Sequence, residues 1–207
     1  MPGVARSPSV IAGAHDITIR PLRDHADDYA VMSRWLSDER VLQFYDGRDR
    51  PLSYEDAASK YGPRALGEHY VRPCIIELAG RPIGYIQYYP VDKAGEAHEN
   101  AGYYRLVDPG GAWAIDMFIG EPDIWGRGMG SSSLAALAGH IFSVLGAQRI
   151  VIDPHVDNPR AIRAYEKAGF RKQRVLKEHE FHEGRWHDAW LMTIEREDWA
   201  NQEEDAG

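Results

Sequence analysis

The chain has 207 residues, 43% of them hydrophobic and 27% charged, a globular composition that excludes a disordered or fibrous polypeptide. Its apolar runs fall short of the roughly 18 residues a membrane helix needs, and its single cysteine, Cys74, excludes an internal disulfide framework and a multi-thiolate metal centre. With 24 Lys+Arg against 32 Asp+Glu the formal charge is −8, the wrong sign for gripping a nucleic acid and the right one for attracting a cationic small molecule.

Residues 1–14 are small residues, prolines and serines with no basic start and hydrophobic block, so they read as a flexible tail and the protein is expected in the cytoplasm. Residues 15–199 read as one folded domain and residues 200–207 as an acidic tail. Asp16 to Arg20 alternates like a strand, and Asp24 to Asp38 places Tyr29, Met32, Trp35 and Leu36 on one helical face. Cys74 to Leu78 and Ile83 to Tyr89 form a predicted hairpin around Ala79-Gly80-Arg81-Pro82. Cys74 itself reads as buried rather than nucleophilic. Val91 to Gly111 is polar and glycine-bearing, a predicted long loop, and Trp113 to Ile119 is the next strand.

After that strand comes Trp125-Gly126-Arg127-Gly128-Met129-Gly130, then a helix with apolar Leu134, Leu137, Ala138, Ile141, Phe142 and Leu145, stopped by Gly146. Glycines between a strand and a helix let backbone amides converge on an anion, where the helix dipole adds positive potential; an unliganded turn is the alternative. Neither the dinucleotide fingerprint nor the phosphate loop has this spacing. Ile150 to Ile152 is a short apolar strand, and Asn158-Pro159 starts a helix closed by Gly169. Two last strands, Phe170 to Leu176 and Trp190 to Ile194, flank an acidic, histidine-bearing turn. The order β-α, β-β, β-α, β-α, β-β predicts an α/β protein, a mixed sheet with helices on its faces.

Asp116 interrupts the apolar run Ala114-Ile115-Asp116-Met117-Phe118, where desolvation would raise its pKa toward that of a useful base. A carboxylate satisfied in a hydrogen-bond network is the other reading. His179, His182 and His187, with Glu180 and Glu183, do not have the spacing of a helix-borne zinc pair and read as solvent-exposed.

The segment Asn158 to Phe170 carries the pattern Asn-x-x-Ala-x-x-x-Tyr-x-Lys-x-Gly-Phe at a fitting distance after the glycine loop. In this it resembles the GCN5-related N-acetyltransferases (GNAT), which use acetyl-coenzyme A as co-substrate and no metal. The resemblance implies their fold, a mostly antiparallel central sheet with a parallel splayed pair, flanked by helices. It also implies a coenzyme site at Phe118, Ile119, Trp125, Gly126, Arg127, Gly128, Met129, Gly130 and Ser131, continued by Asn158, Ala161, Tyr165 and Lys167. Asp116 would then act as general base and Tyr165 as the acid that protonates the leaving thiolate.

Within that superfamily the chain is most similar to the aminoglycoside 6'-N-acetyltransferases, through Trp35, Gly84-Tyr85-Ile86-Gln87, Asp108-Pro109-Gly110, Ile115-Asp116, Asp153-Pro154 and Arg160 to Phe170. The likeness implies a polycationic acceptor bound by Tyr45, Tyr103, Tyr104, Asp108, Asp116, Asp153 and Glu183 or Asp188. Acetylating its 6'-amine would remove a charge that the antibiotic uses on ribosomal RNA, and so confer resistance. Asp92, Glu96, Glu99 and Asp108 in the long loop fit the same cation. Alternatives are a siderophore-biosynthetic amine or hydroxylamine acyltransferase, acetylation of a protein N-terminus, and a non-catalytic coenzyme-binding sensor. A homodimer is common among such proteins.

Overall fold

The computed structural model of the protein describes residues 10–14, 16–93 and 110–206. Eight strands form one sheet: β1 (Ala12–Ala14), β2 (Ile17–Pro21), β3 (Arg72–Leu78), β4 (Arg81–Pro90), β5 (Ala112–Ile119), β6 (Arg149–Ile152), β7 (Arg171–His182) and β8 (Arg185–Glu195). Their order across the sheet is β1-β2-β3-β4-β5-β6-β8-β7. Every neighbouring pair is antiparallel except β5 and β6, which are parallel. The expected mixed sheet, antiparallel but for one parallel pair, is therefore present.

Among the helices of the described residues are α1 (Ala26–Trp35), α2 (Glu39–Leu42), α3 (Tyr54–Ala65), α4 (Met129–Ser143), α5 (Pro159–Lys167) and α6 (Arg196–Ala206). Strand alternation sends neighbours to opposite faces of the sheet. Ile76, Ile86, Ile115 and Ile150 pack with Leu134, Leu137 and Phe142 of α4 and Ile162 of α5. Ile75, Tyr85 and Phe118 instead pack with Met32 and Trp35 of α1 and Tyr61 of α3. The two cores hold the sheet between two helical layers.

The edges of the domain differ from the expected 15–199. Ala12–Ala14 is not tail but an edge strand, its pairing extended by Ile11 N–H donating to Ile19 O at 2.8 Å. An Ala-Gly-Ala strand has little β propensity, and pairing with β2 decides it. At the other end the chain stays helical through Ala206: Glu197 and Asp198 complement the dipole of α6 in its first turn, and Trp199 stacks on Phe142 at 5.3 Å. The predicted histidine-bearing turn is instead mostly strand, because β7 and β8 run on to His182 and Arg185. Register shifts between Lys172 and Arg174 and between Leu176 and Glu180 break the alternation that would have marked it.

Candidate active site

Pairing of β5 with β6 stops at Ala114 opposite Val151, so beyond that point the two parallel strands diverge. A cavity of about 760 Å³ opens at the divergence. Asp116 from β5, Asp153 after β6, Tyr165 from α5 and Glu180 from β7 all line it.

Asp116 lies opposite Gln87 in the β4–β5 register, and Gln87 Nε2 donates to its Oδ2 at 2.6 Å. Gln87 is oriented in turn: its Oε1 accepts from Tyr85 Oη at 2.7 Å and from Arg64 Nη1 at 3.0 Å. Desolvation, then the nearby Asp153 carboxylate, push the Asp116 carboxyl up to about 7, against the opposing pull of the Gln87 and Tyr89 hydrogen bonds. A carboxylate with that pKa is poised to accept a proton near neutral pH. Asp116 thus belongs to a hydrogen-bond network and, at the same time, carries a raised pKa. Burial, then Asp153 and Asp116, push the Tyr165 phenol well above its ordinary value. Tyr165 therefore keeps its proton through the working range but releases it less readily than a phenol in water.

Asp153 is held by His179, whose Nε2 sits 2.8 Å from Asp153 Oδ2. Burial works to depress the His179 imidazole, but that carboxylate outweighs it and raises the pKa.

The same cavity is also lined by glycines and basic side chains. Gly128 caps α4 in the left-handed region at φ +85°, and no side chain caps the helix. The first-turn amides are left to an outside acceptor, the arrangement that favours an anion. Arg160, Arg163 and Lys167 line the same cavity from α5. Trp125 is part of the scaffold: its Nε1 donates to Ile119 O at 2.7 Å, and the Arg160 guanidinium lies 3.7 Å from its ring centroid. Free amides, a missing cap and three nearby cations together fit a diphosphate.

Of the expected coenzyme residues, Phe118, Ile119, Trp125, Gly126, Gly128, Met129, Gly130, Ser131, Asn158, Ala161, Tyr165 and Lys167 line the cavity. Arg127 is exposed and does not. Asn158 also caps α5, its Oδ1 accepting from Ala161 N–H at 3.1 Å.

The expected acceptor residues divide. Tyr45, Asp116 and Asp153 line the cavity, whereas Tyr103, Tyr104 and Asp108 lie outside the described residues. Glu183 and Asp188 are not brought to the cavity: Glu183 pairs with Arg48 at 2.6 Å and Asp188 with Lys177 at 2.5 Å. Glu180 is the carboxylate that the hairpin does supply. It was hidden by the bulge before it, which shifts the strand's inside-outside parity.

Two further corrections follow from the same hairpin. His182 and His187 are buried, not solvent-exposed, and His179 is taken up by Asp153. Sequence reasoning also passed over Arg64, because α3 has Gly62 and Pro63 near its end and reads poorly as a helix. The Ser53–Asp56 capping box was the signal that could have revealed it. Cys74 is buried as expected, and burial pushes its thiol up to about 12.

Comparison with known proteins gives concordant matches. The sequence profile of the family described as "Acetyltransferase (GNAT) domain" matches residues 24–178. Aminoglycoside N(6')-acetyltransferase type 1 of Klebsiella pneumoniae is 31% identical over 166 residues, spanning 80% of this chain and 79% of that protein. Spermidine N(1)-acetyltransferase of Vibrio cholerae is 29% identical over 83 residues, 40% of this chain and 48% of that protein. Among solved structures, aminoglycoside acetyltransferase AAC(6')-Ib in complex with coenzyme A and kanamycin superposes with a TM-score of 0.75 at 28% identity, over 90% of this chain and 99% of that one.

Proposed function

The chain belongs to the GNAT acetyltransferase family, and from that premise we propose that it transfers acetyl from acetyl-coenzyme A to the 6'-amine of an aminoglycoside, conferring resistance to the antibiotic. The observation that carries this reading is the pair of carboxylates, Asp116 and Asp153, set in one cavity with the uncapped start of α4. Its carboxylates suit a cationic amine, and its free amides and basic side chains suit a diphosphate. The likeness to the Klebsiella pneumoniae enzyme supports the aminoglycoside as acceptor.

The coenzyme supplies an acetyl group as a thioester. The amides from Gly128 to Ser131, with Arg160, Arg163 and Lys167, hold its diphosphate and so fix where that thioester lies. Asp153 and Asp116 attract the ammonium, and Asp116 takes its proton, so that the free amine can attack. Gln87 keeps Asp116 aimed into the cavity while Arg64 and Tyr85 keep Gln87 aimed. Tyr165 offers its hydroxyl proton to the departing sulfur as the carbon–sulfur bond breaks, and its oxygen takes back the second proton that the acylated nitrogen sheds. Acetyl passes directly to the amine, with no covalent intermediate on the protein.

A polyamine acceptor is the second reading, favoured by the partial match to the Vibrio cholerae spermidine enzyme. Both acceptors present several ammonium groups to the same carboxylates. Thiol release from acetyl-coenzyme A, measured with kanamycin-like and gentamicin-like aminoglycosides, spermidine and spermine, separates them. Product mapping must place the acetyl group on the 6'-nitrogen. Turnover of polyamines alone would replace the first reading by the second.

A further inference from the structure

His155, His182 and His187 come from three separate segments and meet as one buried group. His155 follows β6 and bridges to Ala189 of β8; His182 closes β7, and His187 lies in β8 across from Glu180. Their exposures are 5%, 1% and 7%. The rings of His182 and His187 stack with centroids 3.9 Å apart, and His155 lies 4.9 and 5.0 Å from them.

What sets the cluster apart is its unmet hydrogen bonding. His182 Nδ1 and His187 Nε2 are buried and have no partner among the described residues. Buried polar atoms are normally paired, and two orphaned imidazole nitrogens in contacting rings call for an explanation. His155 Nε2, by contrast, is shared between Glu180 Oε2 at 2.8 Å and His182 Nε2 at 3.4 Å.

We propose that His155, His182 and His187 form a binding site for a divalent transition-metal ion of the zinc class. One nitrogen from each histidine lies within 4.8 Å of the others. Donors about 2.1 Å from a tetrahedral ion are roughly 3.4 Å apart, so His155 and His182 already have the spacing at their Nε2 atoms, His182 Nδ1 remaining that ring's N–H, and His187 must tilt out of its stack to bring its unpartnered Nε2 to the same ion. Three imidazoles select zinc, nickel or copper over magnesium or calcium.

The surroundings already hold this end of the hairpin in place. Arg48 pairs with Glu183, Asp49 Oδ2 accepts from Glu183 N–H at 3.1 Å, and Phe44 meets His155 edge-on at 6.0 Å. The ion would join the hairpin to the segment after β6, which carries Asp153. Its role is to brace the acceptor side of the cavity, and the acetyl transfer itself does not run through it.

The test uses full-length, tag-free protein stripped with a chelator. Cobalt(II) is titrated and followed by its visible absorption, then displaced with zinc. The expected result is one equivalent per chain with a tetrahedral spectrum, reversal by zinc, and a rise in melting temperature with zinc that a chelator abolishes. His187→Gln should weaken cobalt binding by more than about 100-fold, while His25→Ala, remote from the cluster, should leave it unchanged. No tetrahedral cobalt spectrum in the wild type overturns the proposal whatever the variants do, as does undiminished binding by a folded His187→Gln protein.

Discussion

At the residue scale the chemistry converges on Asp116, and its raised pKa makes two separate statements. The first is kinetic: Asp116→Asn should lower kcat by about 100-fold or more while leaving acetyl-coenzyme A affinity, measured by calorimetry, nearly unchanged. The second is thermodynamic. In the unfolded chain the group titrates near 3.9, and in the native state at about 7. The native protein therefore binds a proton more tightly, and stability is lost as pH rises from about 4 through 7. Asp116→Asn removes that loss, so it should raise the melting temperature at pH 8 and not at pH 4. Gln87 acts on the same group in the opposite sense, since its Nε2 favours the ionised form. Gln87→Leu should push the acid limb of the kcat/KM profile to higher pH; a limb that stays in place would show that Gln87 does not tune the base.

At the element scale, the first helix is anchored by a buried ion pair. Arg20 on β2 donates to both oxygens of Asp28 on α1, at 2.7 and 3.0 Å, and Arg23 donates to the same carboxylate. Burial alone would push the Asp28 carboxyl up, but the hydrogen bonds from Arg23 and Arg20 outweigh it and hold it at about 2. The pair thus contributes stability above the unfolded value, near 3.9, and that contribution is lost as pH falls toward 2. Asp28→Asn leaves Arg20 with Glu77, at 2.7 Å, as its remaining counter-charge and should cost about 2–3 kcal/mol in urea unfolding at pH 7. Elements with a strong periodic signal were legible in the sequence. Examples are α4, with Leu134, Leu137 and Ile141, and the β3–β4 turn, where Ala79 and Gly80 both adopt positive φ. The glycine loop and the Asn158 cap were legible for the same reason, because local chemistry fixes them. Glu180 and the buried histidines were not, because bulges and cross-strand contacts decide where they point, and neither leaves a trace in spacing. Arg64 reaches Gln87 over 23 positions, a tertiary contact that no local pattern encodes.

At the scale of the whole molecule, a chain of net charge −8 must admit an anionic coenzyme and, on the proposed function, attract a polycation. Both charges line the one cavity, Asp116, Asp153 and Glu180 together with Arg160, Arg163 and Lys167. Salt should then act unequally. Raising ionic strength from low to physiological should lower kcat/KM for a polyamine or aminoglycoside more steeply than for acetyl-coenzyme A, as steady-state rates at several salt concentrations would register. Equal slopes would mean that the net charge contributes nothing to acceptor capture.

The parting of β5 from β6 after Ala114 has a consequence beyond making room. On the side of β5 that faces away from β4, the peptide groups past Ala114 have no neighbouring strand from β6 to bond, although the sheet continues on either flank. An elongated ligand arm carrying amides of its own can lie in that slot as a surrogate strand, read by main chain rather than by side chain. Recognition of that kind tolerates drift in the residues around it, so such a protein is free to exchange acceptors over evolution without rebuilding how it holds the donor.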